Sequence, residues 1–186
     1  MLNNRSFKHL DNDEENELIR DYLSQEIENK FRAERKLYGR HGLEATYGVL
    51  YEYVEYNNNT AEKRFNPATG VLNTIGFESA FNAHKYGLFI QANRRFASER
   101  LTLSTGMRID GSTAAEGLKD PLRQFSPRIS ASFAFAPGWT LNANAGVYHQ
   151  LPAYTVLGYA IENSRVNATD KTRYLSSRQW VAGVKR

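Results

Sequence analysis

The sequence predicts an all-β chain: an antiparallel, up-and-down transmembrane β-barrel, present in part, with about seven long strands. Three observations carry this. Apolar residues alternate with small polar ones over stretches of about ten residues, the period of a strand with one apolar face. Short turns alternate strictly with long polar links. Mean hydropathy is −0.59 although 41% of the residues are hydrophobic, so the apolar side chains are dispersed by alternation, not gathered into runs. No apolar run reaches the ~18 residues of a membrane helix, which leaves a β-barrel open.

The first element is the hardest to read. In "LIRDYLSQEIENKFRAERKLY" (18–38) the residue types favour helix. On a helical wheel, however, Glu26, Lys30 and Glu34 fall inside the apolar arc. Taken as a strand, the even positions are polar apart from Tyr22, and the odd ones hold Ile19, Leu23, Ile27, Phe31, Ala33 and Leu37. A long strand is the preferred reading, with a helix as the alternative. Next, Leu43, Ala45, Tyr47, Val49, Tyr51 and Tyr53 oppose Glu44, Thr46, Gly48, Leu50 and Glu52. Tyr86, Leu88, Ile90 and Ala92 then oppose Gly87, Phe89, Gln91 and Asn93. In the following strand Leu101, Leu103, Thr105, Met107 and Ile109 oppose Thr102, Ser104, Gly106, Arg108 and Asp110.

The stretch "ISASFAFAPGWTLNANAGVY" (129–148) carries the pattern most plainly. Ile129, Ala131, Phe133 and Phe135 share one face; after Pro137-Gly138 so do Trp139, Leu141, Ala143, Ala145 and Val147. A last strand, "SSRQWVAGVKR", puts Trp180, Ala182 and Val184 together. Short turns fall at 38–42, 97–100 and 136–138; long polar links are expected at roughly 57–83, 111–124 and 151–176. That alternation is the asymmetry of a membrane barrel, with short periplasmic turns and longer outer loops.

The apolar face is expected to meet lipid. The strands are longer than the five or six residues of most globular strands. The opposite face is small and uncharged at Ser130, Ser132, Thr140, Asn142, Asn144 and Gly146, which suits a hydrated interior. Phe96, Phe135 and Trp139 flank short turns, where an interfacial girdle would lie, and Tyr51 and Tyr53 approach the other rim.

Little catalytic chemistry is visible, and the chain reads as a non-enzyme. Cysteine is absent, which removes disulfides and zinc-thiolate sites. His9, His41, His84 and His149 have no ligand spacing and read as solvated surface groups. Gly-rich phosphate loops and nucleophile elbows are lacking. The acids of "DNDEENE" (11–17) lack calcium-loop spacing and read, within residues 1–17, as an acidic loop; residues 18–186 hold the strands and loops. Two Asn-x-Thr sequences, at Asn58 and Asn167, match the glycosylation pattern and carry no meaning in a bacterial chain. Net charge is +4, spread along the chain, so nucleic acid is not an expected partner. No cofactor or metal site is predicted. Arg108, Asp110, Arg128, Asn142, Asn144 and Tyr148 fall on the polar face and are the candidates to face a lumen. They either line a substrate path or, the preferred reading, bond one another or a plug. Recognition is expected instead in the loops Asn57–Ala83 and Leu151–Ser176.

The stretch "FSPRISASFAFAPGWTLNANAGVYHQLPAYTVLGY" resembles the barrel of TonB-dependent outer-membrane receptors: an "SPR" strand, a short turn, a "WTL" strand and a "Y-x-Q-x-P-x-Y" exit, in that order. "KYGLFIQANRRFASERLTLSTGMRID" and "EIENKFRAERKLYGRHGLEATYGVLYEY" fit the same pattern. The resemblance implies a place in the bacterial outer membrane among its lipids. It implies uptake of a scarce ligand such as a siderophore, cobalamin or glycan, and partnership with the TonB complex through a plug and an N-terminal segment. That family has about 22 strands and a plug. Here plug and coupling segment are missing, and the chain reads as an internal piece of the barrel. The alternatives are a small complete outer-membrane barrel (porin or adhesin), whose first and last strands would pair, and a soluble β-sandwich binding module, which would bury the Leu101–Ile109 face.

Overall fold

The computed structural model describes residues 2–12, 15–161 and 164–186. Eight antiparallel strands form one sheet in the order β1-β2-β3-β4-β5-β6-β7-β10, curled into a half-barrel. The strands are β1 (Leu2–Asn12), β2 (Glu15–Tyr38), β3 (Glu44–Asn66), β4 (Val71–Phe96), β5 (Leu101–Ser112), β6 (Ser126–Ala136), β7 (Trp139–Gln150) and β10 (Leu175–Lys185). A one-turn helix α1 (Tyr154–Gly158) and a two-stranded ribbon, β8 (Ala160–Ile161) with β9 (Ser164–Arg165), lie between β7 and β10.

The pairing register settles which residues share a face. Glu52 pairs with Lys85, and Lys85 with Ser112. Gly106 pairs with Arg128, and Arg128 with Gly146. On the other side Val49 pairs with Leu88, Leu88 with Ile109, Leu103 with Ala131, and Phe133 with Leu141. Directly paired residues project to the same side, so the apolar alternation forms one continuous convex face. It is open to the surroundings: Leu103 is 38% exposed, Phe133 39%, Leu141 43% and Leu88 52%. A sandwich would have buried these residues. β1 and β10 lie at opposite edges of the sheet, so these strands do not close a small complete barrel.

Residues 18–38 are strand throughout, the reading preferred from the sequence, and β2 begins earlier, at Glu15. Other expectations are corrected. Residues 2–12, read as part of an acidic loop, form β1 against β2, from Leu2 opposite Glu26 to Asn12 opposite Glu15; this adds an eighth strand. Asp13 and Glu14 lie outside the described residues. Residues 57–83, read as a polar link, are mostly strand. β3 and β4 run for 23 and 26 residues and stay in register from Glu44–Asn93 to Asn66–Val71. Their upper halves escaped the alternation test because polar side chains there, such as Asn58 and Thr60, are buried beneath the loops. Lastly, the links 111–124 and 151–176 hold short helical turns and the β8–β9 ribbon.

Local geometry explains particular residues. At Gly48 a Cβ would lie 2.5 Å from the Ala33 carbonyl oxygen and 2.7 Å from the Phe89 ring. Only glycine lets Phe89 lie across the backbone, with the Arg32 guanidinium 4.9 Å from the ring centroid. Gly138 turns the β6–β7 hairpin at φ 75°, where a side chain would be strained. The β4–β5 turn does without glycine: Ala97, Ser98 and Glu99 have φ of 53°, 54° and 69°, each costing about 1–2 kcal/mol. The turn is tied down from β6, where the Ala134 amide donates to the Arg100 carbonyl at 2.8 Å. The Arg100 guanidinium donates to the carbonyls of Ala134 at 3.0 Å and Phe135 at 3.3 Å.

Two measurements check this architecture. The chain has no cysteine, so single spin-labelled cysteines along β5 are unambiguous. Positions 103 and 107 should be relaxed by oxygen, and 102 and 104 by a water-soluble nickel chelate, with period two. Loss of the alternation would refute the register. Ser98→Gly should raise the urea-unfolding stability by about 1 kcal/mol by relieving left-handed strain.

Candidate functional site

The concave face begins as a polar wall. Along β2 to β6 it carries Glu28, Glu52, Lys85, Asp110, Arg108 and Arg128, each placed by the register above. Charges half-buried on such a wall need partners, and they have them. Lys85 forms an ion pair with Glu52 and lies 3.6 Å from Glu28. Glu28 also holds Lys30 at 2.6 Å. Arg108 grips Asp110 through its Nε and Nη2, at 2.6–2.9 Å. The Arg128 guanidinium instead lies over the Tyr148 ring, 4.9 Å from its centroid.

The two long connections fold onto this wall, making an apolar plug of local origin. Leu118, Ala114 and Ala115 from the first and Leu157 from the second pack on Tyr56, Phe81 and Ala83 of β3 and β4. Leu118 and Leu157 are fully buried. The second connection is also bonded to the charges. The Tyr154 hydroxyl donates to Glu28 at 2.7 Å and accepts from Lys85 at 3.2 Å. Burial, and then the Glu28 carboxylate, push the Tyr154 phenol well above its ordinary range, so it remains a protonated donor. Burial likewise raises the Tyr174 phenol, with Asp110 adding to it. Arg165, at the ribbon, donates to the Ala114 carbonyl at 3.0 Å and stacks 4.7 Å from the Phe81 centroid. Its burial lowers its pKa.

Between wall and connection lies an open cavity of about 570 Å³, lined among others by Glu52, Lys85, Arg108, Arg128, His149 and Tyr154. Of the six residues proposed from sequence, Arg108, Asp110, Arg128 and Tyr148 line it. Asn144 lines a smaller hollow of about 310 Å³ with Arg128 and Tyr148. Asn142 shares their face, opposite Ser132 and nearer the turn, and lines neither space. Sequence reasoning missed Glu28, Lys85 and Tyr154, the residues that join loop to wall. Glu28 stood in the ambiguous first strand and Lys85 just ahead of the alternation read from Tyr86, and no local pattern ties position 154 to position 28.

The histidines divide. His84 bonds the Tyr51 hydroxyl through Nδ1 at 2.7 Å and stacks on that ring at 5.9 Å, so it is not simply solvated. The Nδ1 of His149 lies 3.0 Å from the Ser126 hydroxyl. His41 occupies a turn at φ 56°. Among the described residues no group of three His, Cys, Asp or Glu could hold a metal.

The loop attachment is testable. Tyr154→Phe removes two hydrogen bonds to charged groups, worth about 1–3 kcal/mol together. Hydrogen exchange in residues 151–158 should speed by about tenfold or more, while β5–β7 exchange stays unchanged.

The family model for "TonB dependent receptor-like, beta-barrel" matches residues 2–185. No curated protein matches the chain. The match spans both the strands and the loops that roof the concave wall, and the half-barrel sheet agrees with it. The chain belongs to the β-barrel family of TonB-dependent receptors.

Proposed function

We propose that this chain forms part of the wall of a bacterial outer-membrane receptor that takes up a scarce ligand, with energy supplied through TonB. The carrying observation is the polar cavity on the concave wall beneath the Leu151–Tyr154 segment. Family membership supports the reading, because its members are outer-membrane transporters. In this reading the convex face of Leu88, Ile90, Met107 and Ile129 meets hydrocarbon, and every backbone group facing it is satisfied within the ladder. The unpaired edges of β1 and β10 require further strands beside them for the same reason.

Charge sorts the cavity residues. Arg108 is held by Asp110, and Lys85 by Glu52 and Glu28; these pairs stiffen the wall. Arg128 has a ring beneath it and lines the cavity. Arg128 with Tyr148 is therefore the pair that offers a cation and a flat surface to a ligand, and it suits an anionic group such as the carboxylates or hydroxamates of an iron chelate. The wall pairs would equally bear against a plug domain filling the barrel.

Uptake by cells tests this. Radiolabelled ferric chelates, cobalamin and oligosaccharides should be screened with and without TonB. One ligand should enter only when both this chain and TonB are present. Arg128→Gln should weaken its binding about tenfold, the loss of one charge-assisted contact. Uptake indifferent to TonB for every ligand would overturn the coupling, and unchanged binding in Arg128→Gln would overturn the assigned residue.

A further inference from the structure

The short-turn end of the barrel carries an asymmetry unrelated to ligand uptake. On the concave side its cations are neutralised: Arg32 pairs with Glu34 at 2.6 Å, Lys36 with Glu44 at 2.8 Å and Arg95 with Glu99 at 3.4 Å. On the convex side they are not. Arg35, opposite Tyr47, and Arg94, opposite Leu103, project with the apolar face. Arg100 follows in the turn, and Arg186 stands beyond Val184 at the foot of β10. All four are exposed. None has a carboxylate within ion-pair distance among the described residues.

Three of these four convex cations lie on aromatic rings instead. Arg94 sits 4.9 Å from the Phe96 centroid, Arg100 5.7 Å from Phe133, and Arg186 5.4 Å from Trp139. Trp139 in turn packs on Phe135 at 6.3 Å. A ring fixes the guanidinium plane and supplies part of its stabilisation yet supplies no counter-charge; at Arg94 and Arg186 it also takes up none of the forked donors, whereas Arg100 spends two of its donors on the Ala134 and Phe135 carbonyls. The stripe runs from β2 to β10 along the short-turn end, at the edge of an apolar face. At that height the neighbouring anions are the phosphates of membrane lipids, and guanidinium is the side chain that binds phosphate bidentately.

We propose that this convex arginine–aromatic stripe is a binding site for the headgroups of anionic phospholipids in the periplasmic leaflet. The inference rests on the membrane reading above, and its test separates the two. The chain has two tryptophans; with Trp180→Phe, Trp139 alone reports from within the stripe. The receptor carrying this chain together with its further strands, its other tryptophans replaced by Phe, is reconstituted into phosphatidylcholine vesicles containing graded fractions of dibrominated phosphatidylglycerol or dibrominated phosphatidylcholine, and Trp139 quenching is read. Brominated phosphatidylglycerol should quench at lower mole fraction, giving a relative association constant of about five, and salt should shrink the preference. Arg35→Gln with Arg94→Gln and Arg186→Gln should reduce the ratio to about one. The concave-side control, Arg32→Gln with Arg95→Gln, should keep it. Equal quenching by the two lipids overturns the site, as does a preference that survives the convex substitutions. Quenching by neither lipid overturns the membrane reading itself, and this site with it.

Discussion

Every feature of this chain follows from the need to satisfy backbone hydrogen bonds beside an apolar medium. An extended segment can do so only by pairing along its whole length with neighbours. Pairing of that kind forces period-two alternation, so one face can be given wholly to apolar side chains and the other to polar ones. The eight strands pair in this way over lengths from 11 residues in Ser126–Ala136 to 26 in Val71–Phe96. The longer strands in β2 to β4 outrun the ~9–11 residues a bilayer requires. Their upper halves are therefore answerable to a different environment, and their composition changes accordingly, to Asn57, Asn58, Asn59 and Thr60.

The concave side solves a second problem. A half-buried charge is costly unless paired, and the wall pairs nearly all of its charges internally. Lys85 is the centre of that arrangement because it reaches two carboxylates from two strands and the Tyr154 hydroxyl from a loop. A residue so placed converts a sheet and a connection into one body. Leu118 and Leu157 supply the apolar half of the same attachment. The loops that cover the cavity are thus held by a mixed interface in which directional bonds choose the position and apolar burial supplies the bulk of the stabilisation.

Arginine has two settings on the one sheet. Arg108 is a structural partner of Asp110. Arg128 lies over the Tyr148 ring. At the turn end of the convex face Arg94 and Arg186 likewise lie on rings. The distinction lies in whether the nearest neighbour is a carboxylate or a ring, because a ring orients the guanidinium without consuming its hydrogen bonds.

Much of this was legible in the residues alone. Alternation from Leu101 to Ile109 and from Ile129 to Val147 was enough to assign strand, face and hairpin, because the side-chain period is a local property of the backbone. The family resemblance rested on the same stretches. Less was legible where alternation failed. Leu2–Asn12 and the upper halves of β3 and β4 look like polar loop, and only their partners make them strand: a ladder bond is satisfied by a neighbour distant in sequence, whatever the side chains. The candidate site divided in the same way. Arg108, Arg128 and Tyr148 could be placed on the polar face by parity. Their differing fates, one consumed by Asp110 and one lying over a ring, depend on rotamers and distances that no periodicity encodes. The meeting of Tyr154 with Glu28 across 126 positions was decided by tertiary structure alone, since the loop's bonds are set by what it folds onto.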